Sequence, residues 1–165
     1  MHHVQDIDWK YWNFTEQATL CFLVQNGSVL LIHKKTGLGA GKINGPGGRL
    51  EAGETEEEGA IRELQEEVGL TPIAPKKYGE LSFIFKNGYS LHGTVFVSSI
   101  FSGTMTETVE AKPFWCEITK IPYERMWSDD PYWLPHLLDG KQIRAFFIYD
   151  EDEMKSSRIF IYRSR

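Results

Sequence analysis

The chain has 165 residues and a formal net charge of −5, a size that favours one domain built around a single sizeable core. With 41% hydrophobic and 13% aromatic residues it has enough apolar surface to bury, which excludes global disorder, and the negative balance argues against a nucleic-acid polymer as main partner. Its two cysteines, Cys21 and Cys116, lie in apolar strand-like runs without metal-ligand spacing and read as buried thiols in a reducing compartment.

Residues 1–14 contain no apolar signal core, and no run in the chain approaches membrane-spanning length, so a cytoplasmic location is expected. That segment holds Trp9, Tyr11, Trp12 and Phe14, aromatics that pack either on the domain surface or against a second subunit, leaving monomer and weak homodimer both open. Ala18–Val24 and Val29–Lys34 are predicted strands around Asn26-Gly27, a strong hairpin signal. The glycine-rich Gly37–Gly48 reads as a loop. A helix is predicted from a cap at Thr55 to Val68, with Glu58 completing a capping box and Gly69 just past the end. Tyr78–Phe85 and Leu91–Ser98 form a second predicted hairpin across Lys86-Asn87-Gly88, and Phe114–Ile118 a short strand. Asp130-Pro131 starts a second helix through Leu138, closed by Gly140 and shortened or kinked at Pro135. Ile143–Tyr149 and Arg158–Tyr162 are predicted closing strands around the acidic turn Asp150–Glu153. A mixed sheet with two helices is either α+β or a three-layer sandwich.

The first helix is chemically unusual. Eight glutamates fall between Glu51 and Glu67. Ala60, Ile61, Leu64 and Val68 share a face that seeks the core, while Glu63, Glu66 and Glu67 lie at i, i+3 and i+4 and converge on another. Their mutual repulsion destabilises the helix by a few tenths of a kcal/mol per pair unless offset, and a hard divalent cation with oxygen ligands is the natural offset. Gly59 on the acidic side costs about 1 kcal/mol relative to Ala, which makes sense where a backbone or ligand approaches closely.

This segment resembles the Nudix box, G-x5-E-x7-R-E-U-x-E-E-x-G-U with U a bulky aliphatic, at Gly48, Glu54, Arg62, Glu63, Leu64, Glu66, Glu67, Gly69 and Leu70. The resemblance implies an α/β fold, the Nudix α/β/α sandwich with a mixed β-sheet and two main helices, occupying residues 15–165 behind an N-terminal extension of residues 1–14. It also implies a hydrolase of nucleoside diphosphates linked to another group, using Mg2+ or Mn2+. Glu63, Glu66 and Glu67 would bind the metal, with a backbone carbonyl near Gly47 or Gly48 completing the shell. Glu110 matches a carboxylate brought from a loop, an extra ligand or base, against the plain reading of an exposed loop glutamate. Glu54 and Arg62 are expected to orient the helix, since an arginine can hold a carboxylate in a bidentate grip.

Over Thr19–Phe147 the chain is similar to the animal-type 8-oxo-dGTP hydrolases, through Gly37–Gly48, Arg62–Thr71 and M-W-S-D-D-P-Y-W-L-P at Met126–Pro135. That likeness implies hydrolysis of oxidised purine nucleoside triphosphates (8-oxo-dGTP, and 2-hydroxy-dATP as a further substrate) to monophosphate and pyrophosphate, sanitising the nucleotide pool. The residues it implies at the purine are Asn44, Trp127, Asp129 and Asp130, with Phe83 and Trp133 near the walls. Thr19 and Lys34 would lie on the sugar and phosphate side. A tryptophan offers a stacking face, and two buried aspartates sharing one proton offer a donor and an acceptor. Moving that proton between them would let the pocket take oxidised guanine and oxidised adenine alike.

Plainer readings stand beside these. Asp129 or Asp130 can cap the second helix, Asn44 can stabilise a turn, and Phe83 and Phe85 can be core. Leu38, Ile43 and Pro46 stand where this family often has aromatics, which would thin the pocket wall and loosen selectivity. Two rival functions remain. One is a Nudix pyrophosphohydrolase of another nucleotide, such as a normal dNTP, a dinucleoside polyphosphate or a nucleotide sugar. The other is a non-catalytic nucleotide-sensing module.

Overall fold

The computed structural model describes residues 3–163; Met1 and His2 of the N-terminal extension lie outside them. A single 3-10 turn at Val4–Asp6 precedes β1 (Glu16–Gln25) and β2 (Ser28–Lys34). Asn26 and Gly27 between them both take positive φ, 51° and 73°, the backbone that a two-residue turn matching the strand twist requires. Then follow β3 (Ile43–Asn44), β4 (Gly47–Arg49), α1 (Glu56–Val68), β5 (Leu70–Pro72), β6 (Lys76–Phe85) and β7 (Ser90–Ser98). The chain continues with β8 (Phe101–Gly103), β9 (Ala111–Glu117), α2 (Asp130–Leu138), β10 (Gln142–Asp150) and β11 (Glu153–Tyr162).

The main sheet runs β11-β10-β6-β7-β1-β2-β3, with β4 added to β1 and β9 to β2. The β1/β7 and β6/β10 pairings are parallel and the others among the described residues antiparallel, so the sheet is mixed. Alternation along the strands builds two cores. Cys21, Leu23, Leu30 and Ile32 face Ala60, Leu64 and Val68 of α1. Phe22, Val29, Leu31, Ala145 and Phe147 face Trp133, Leu134 and Leu137 of α2. Helix, sheet, helix is the expected three-layer sandwich.

Helix α1 begins as its sequence dictates. Thr55 Oγ1 accepts the Glu58 N–H at 3.1 Å and Glu58 Oε1 accepts the Thr55 N–H at 3.0 Å, while Gly69 ends it in the left-handed region at φ 78°. Gly59 is explained differently from the expectation. A Cβ there would overlap Leu50 Cδ2 and come within 3.0 Å of Glu54 Oε1, so side chains crowd it, not a backbone or ligand. The glycine-rich segment is not wholly loop, because it contributes β3 and β4. The β5/β8 pair was not anticipated either; both strands are only three residues long.

Two of the N-terminal aromatics, Trp9 and Trp12, pack on the chain's own sheet. Val4 is buried with Ile84, Phe146 and Ile148, on the stretch of sheet that α1 does not reach. The Trp9 ring lies 4.7 Å from Phe146 and 5.1 Å from Trp12, and the Val4 N–H donates to Ser156 Oγ at 3.0 Å. Phe14 stacks on His92 but, like Tyr11, stays exposed. None of the described helices is long and apolar enough to cross a membrane.

Candidate active site

Helix α1 carries Glu63 and Glu67 one turn apart, and the segment entering β9 brings Glu110 to them. One carboxylate oxygen from each lies within 4.8 Å of the others. Glu110 is held by its surroundings: its carbonyl accepts the Lys35 N–H at 2.9 Å, and Thr108 Oγ1 donates to the Glu67 carbonyl at 2.8 Å. The close approach of β4 needs glycines. A Cβ on Gly47 would run into the Thr19 carbonyl, and one on Gly48 into the Glu63 carboxylate.

Three carboxylates in so small a space need a counter-charge. Glu67 is buried, and desolvation with the charges of Glu63 and Glu110 pushes it up to about 8. The Gly47 N–H, which donates to Glu67 Oε1 at 3.0 Å, and Lys34 only partly oppose this. Burial also raises Glu63 against the pull of Arg62, and burial lowers Lys34 against the pull of Glu67. A set of hard oxygen donors short of positive charge fits a divalent cation.

Glu66, expected in this set, is not brought into it. Its carboxylate accepts from Arg62 Nη1 at 3.1 Å and is half exposed, turned toward the arginine four residues earlier. Arg62 also donates Nη1–H to Glu63 at 2.9 Å and Nη2–H to the Arg49 carbonyl at 3.0 Å. Its fork on Glu54 holds that carboxyl down to about 2. The expected orienting role of Glu54 and Arg62 matches this geometry.

From the carboxylates a cavity of ≈ 620 Å³ runs past Thr19, Lys34 and Asn44 to Phe83, Trp127, Asp129, Asp130 and Trp133. All the residues expected at the substrate therefore line one space. Thr19 Oγ1 is buried there without a hydrogen-bond partner among the described residues, a polar atom left for a ligand. Asn44 also steadies the turn, donating Nδ2–H to the Lys42 carbonyl at 3.3 Å. Trp127 meets Tyr149 edge to face at 5.4 Å and carries Lys42 Nζ 5.2 Å from its ring centre. Gly39, at φ 82°, passes so near that a Cβ would lie 2.8 Å from Trp127 Nε1. Phe83 and Phe85 are both packing and wall, stacked on Phe147 and Tyr149 while lining the cavity. Of the three departures from the aromatic pattern, only Leu38 lines the cavity; Ile43 and Pro46 are buried elsewhere, so the wall is thinned less than expected.

At the far end Asp129 and Asp130 are both buried. Asp129 occupies the N-cap position of α2 but makes no side-chain cap bond, so the capping alternative does not hold for it. Its Oδ2 accepts the Trp133 indole N–H at 2.8 Å and its Oδ1 the Tyr149 hydroxyl at 2.5 Å. Burial raises both acids, and Asp130, beside the Asp129 charge, is raised well above the ordinary range. The pair thus holds one proton between a donor and an acceptor. Tyr149 was not singled out in the sequence. The available signal was its place two residues from Phe147 on an inward strand face, where a buried phenol demands a partner.

A family model of the NUDIX domain matches residues 15–137. The chain is 43% identical over 130 residues to an oxidized purine nucleoside triphosphate hydrolase of Danio rerio, covering 78% of this chain and 83% of that protein. It is 40% identical over 136 residues to the enzyme of the same name from Mus musculus, covering 82% and 87%. Among solved structures, a MutT protein from Bacillus halodurans superposes with a TM-score of 0.79 at 29% identity, over 87% of this chain and 97% of that one.

Proposed function

The chain belongs to the NUDIX family, and on that premise we propose that it hydrolyses oxidised purine nucleoside triphosphates, 8-oxo-dGTP first among them, to monophosphate and pyrophosphate. The observation that carries this reading is the buried Asp129–Asp130 pair beside Trp127, at the other end of the cavity that holds Glu63, Glu67 and Glu110. A base-reading wall and a phosphate-handling centre in one space suit a purine nucleotide.

A divalent cation, Mg2+ with Mn2+ as substitute, would be held by Glu63, Glu67 and Glu110, where it supplies charge neutralisation of phosphate oxygens and acidification of the attacking water. Glu66, whose Oε2 is engaged by Arg62, would join through its other oxygen. Arg62 keeps Glu63 aimed at the centre through Nη1 while gripping Glu54 with its other edge. Lys34, drawn in by the three carboxylates, is placed to meet phosphate charge as the cation does. At the base end Trp127 offers the stacking face, Asn44 an amide, and the aspartates one donor and one acceptor. The substrate is a small nucleotide handled in the cytoplasm, a compartment that suits two buried, unpaired cysteines.

The deciding experiment is a turnover panel of 8-oxo-dGTP, 2-hydroxy-dATP, dGTP and a nucleotide sugar. The expected result is a kcat/KM for 8-oxo-dGTP at least about tenfold above dGTP, roughly 1.4 kcal/mol of differential transition-state binding. Equal cleavage of the two, or a faster nucleotide sugar, overturns the sanitising role and leaves only pyrophosphohydrolase chemistry.

A further inference from the structure

Asp129 has a hydrogen-bond donor on each oxygen. The Trp133 indole on Oδ2 can only donate. On Oδ1, the Tyr149 hydroxyl already accepts the Asp129 backbone N–H at 3.0 Å, which directs its own proton to the carboxylate. Its other polar neighbour, Ser128 Oγ, stands off at 3.5 Å. Among the described residues no side-chain donor of this kind reaches the Asp130 carboxyl. Two adjacent buried carboxyls resist double ionisation, and here the shared proton belongs on Asp130. Burial and then the Asp129 charge raise Asp130, whereas the bonds from Tyr149 and Trp133 pull Asp129 back. The other phenol near the pair, Tyr123, is lifted to about 12 chiefly by burial, and among the described residues no hydrogen bond joins its hydroxyl to either carboxyl.

We propose that Tyr149 is a specificity-determining residue: by donating to Asp129 it keeps the proton on Asp130, fixes the polarity of the base-reading wall, and restricts the pocket to oxidised purines with a carbonyl at position 6. This rests on the reading that the aspartate pair recognises the base. Oxidised guanine presents an accepting carbonyl at position 6, and oxidised adenine a donating amino group. The Asp130 O–H matches the first and opposes the second. With the triphosphate anchored at the carboxylate end, the base cannot turn over to compensate. A pocket whose proton moved freely would take both, so this chain is a narrower enzyme than its aspartate pair alone implies.

The test is Tyr149→Phe, which keeps the ring packing on Phe85 and Trp127 and removes only the hydroxyl. Two measurements are made on wild type and variant: kcat/KM for 8-oxo-dGTP and 2-hydroxy-dATP, and the pH titration of the Trp133 indole 15N–1H resonance without substrate. Wild type is expected to favour 8-oxo-dGTP by at least about tenfold, and the variant to lose most of that ratio through a rise in 2-hydroxy-dATP turnover. The Trp133 resonance, which reports the protonation of Asp129, should titrate at higher pH in the variant. Equal wild-type turnover of both nucleotides, or a parallel fall for both in the variant with an unmoved Trp133 titration, overturns the proposal. If wild type cleaves neither oxidised purine, the functional reading fails by itself. The Trp133 titration then decides the role of Tyr149: an upward shift supports it and no shift overturns it.

Discussion

Glu54 sits in the fork of the Arg62 guanidinium, with Oε2 2.7 Å from Nε and Oε1 2.9 Å from Nη2. The remaining Nη1 reaches Glu63 at 2.9 Å, so one planar group ties the loop before α1 to a member of the Glu63–Glu67–Glu110 cluster. An ammonium cannot reproduce that geometry. Arg62→Lys should therefore lower kcat by about tenfold or more while changing KM less, because Glu63 is no longer held in place. Steady-state kinetics at saturating Mg2+ checks this; an unchanged kcat would show that the fork does not position Glu63.

Glu67→Gln removes the most buried charge of the trio but keeps the acceptor for the Gly47 N–H. The expected outcome is a loss in kcat of at least about 100-fold with the circular dichroism spectrum retained. Chelation by EDTA should abolish wild-type activity, and Mn2+ should restore part of it. Near-normal turnover by the variant in saturating Mg2+ would remove Glu67 from the metal centre.

Stability should depend on pH in a direction set by Glu67. Its pKa is raised from an ordinary 4.5 to about 8 in the folded, metal-free protein. The unfolded chain releases that proton first, so the folded state is favoured at low pH and loses this contribution as pH rises from about 4.5 through about 8. Asp129 and Asp130, also raised by burial, act in the same sense. Metal-free protein should have a higher Tm near pH 5 than near pH 8, and Mg2+ should raise Tm more at pH 8, where the ligands are ionised. A Tm gain from Mg2+ that is larger at pH 5 contradicts the assignment.

Asp129→Ala should erode the preference for 8-oxo-dGTP over dGTP more than it slows hydrolysis generally. It also strands the Trp133 indole N–H and the Tyr149 hydroxyl in a buried site, at about 1–3 kcal/mol. Asn44→Ala should erode the same preference with less loss of stability. Urea unfolding beside the two-substrate comparison separates the effects. Intact selectivity in a folded Asp129→Ala protein would dismiss the aspartate from base recognition.

Trp9→Ala should destabilise the protein by about 2–4 kcal/mol, since it opens the patch formed with Phe146 and Trp12. Activity at low temperature should change little, because this patch lies on the other face of the sheet from α2. Thermal unfolding followed by near-UV circular dichroism measures it; an unaltered Tm would mean that the segment contributes no stability.

Local rules read the helix caps, the Asn26-Gly27 turn and the second hairpin directly, since each depends on a few neighbouring residues. The Glu63–Glu67 pairing was legible from helical spacing, but the fate of Glu66 was not. Spacing shows that three carboxylates are near one another without showing that Glu66 will turn out toward Arg62 and solvent while Glu63 stays with Glu67 and Glu110. β3, β4, β5 and β8 are too short for periodicity to register, and they exist because longer strands offer them free edges. The placement of Val4 and Trp9 was invisible for a related reason: it depends on a bare area of sheet made by Ile84, Phe146 and Ile148, far along the chain. Asp129 was legible only as a cap or a base contact. Its true holders, Tyr149 and Trp133, come together only when β10 packs under α2.

Carboxylates stand at both ends of the cavity, with Lys34, Arg49 and Lys42 as the nearby cations. On a chain whose formal net charge is −5, a bare triphosphate diffusing in meets a repulsive field, whereas its complex with a divalent cation has shed half or more of that charge. Association is therefore gated by speciation. Uncomplexed nucleotide should be captured faster as added monovalent salt shortens the range of repulsion, and the complexed form should be nearly indifferent to it.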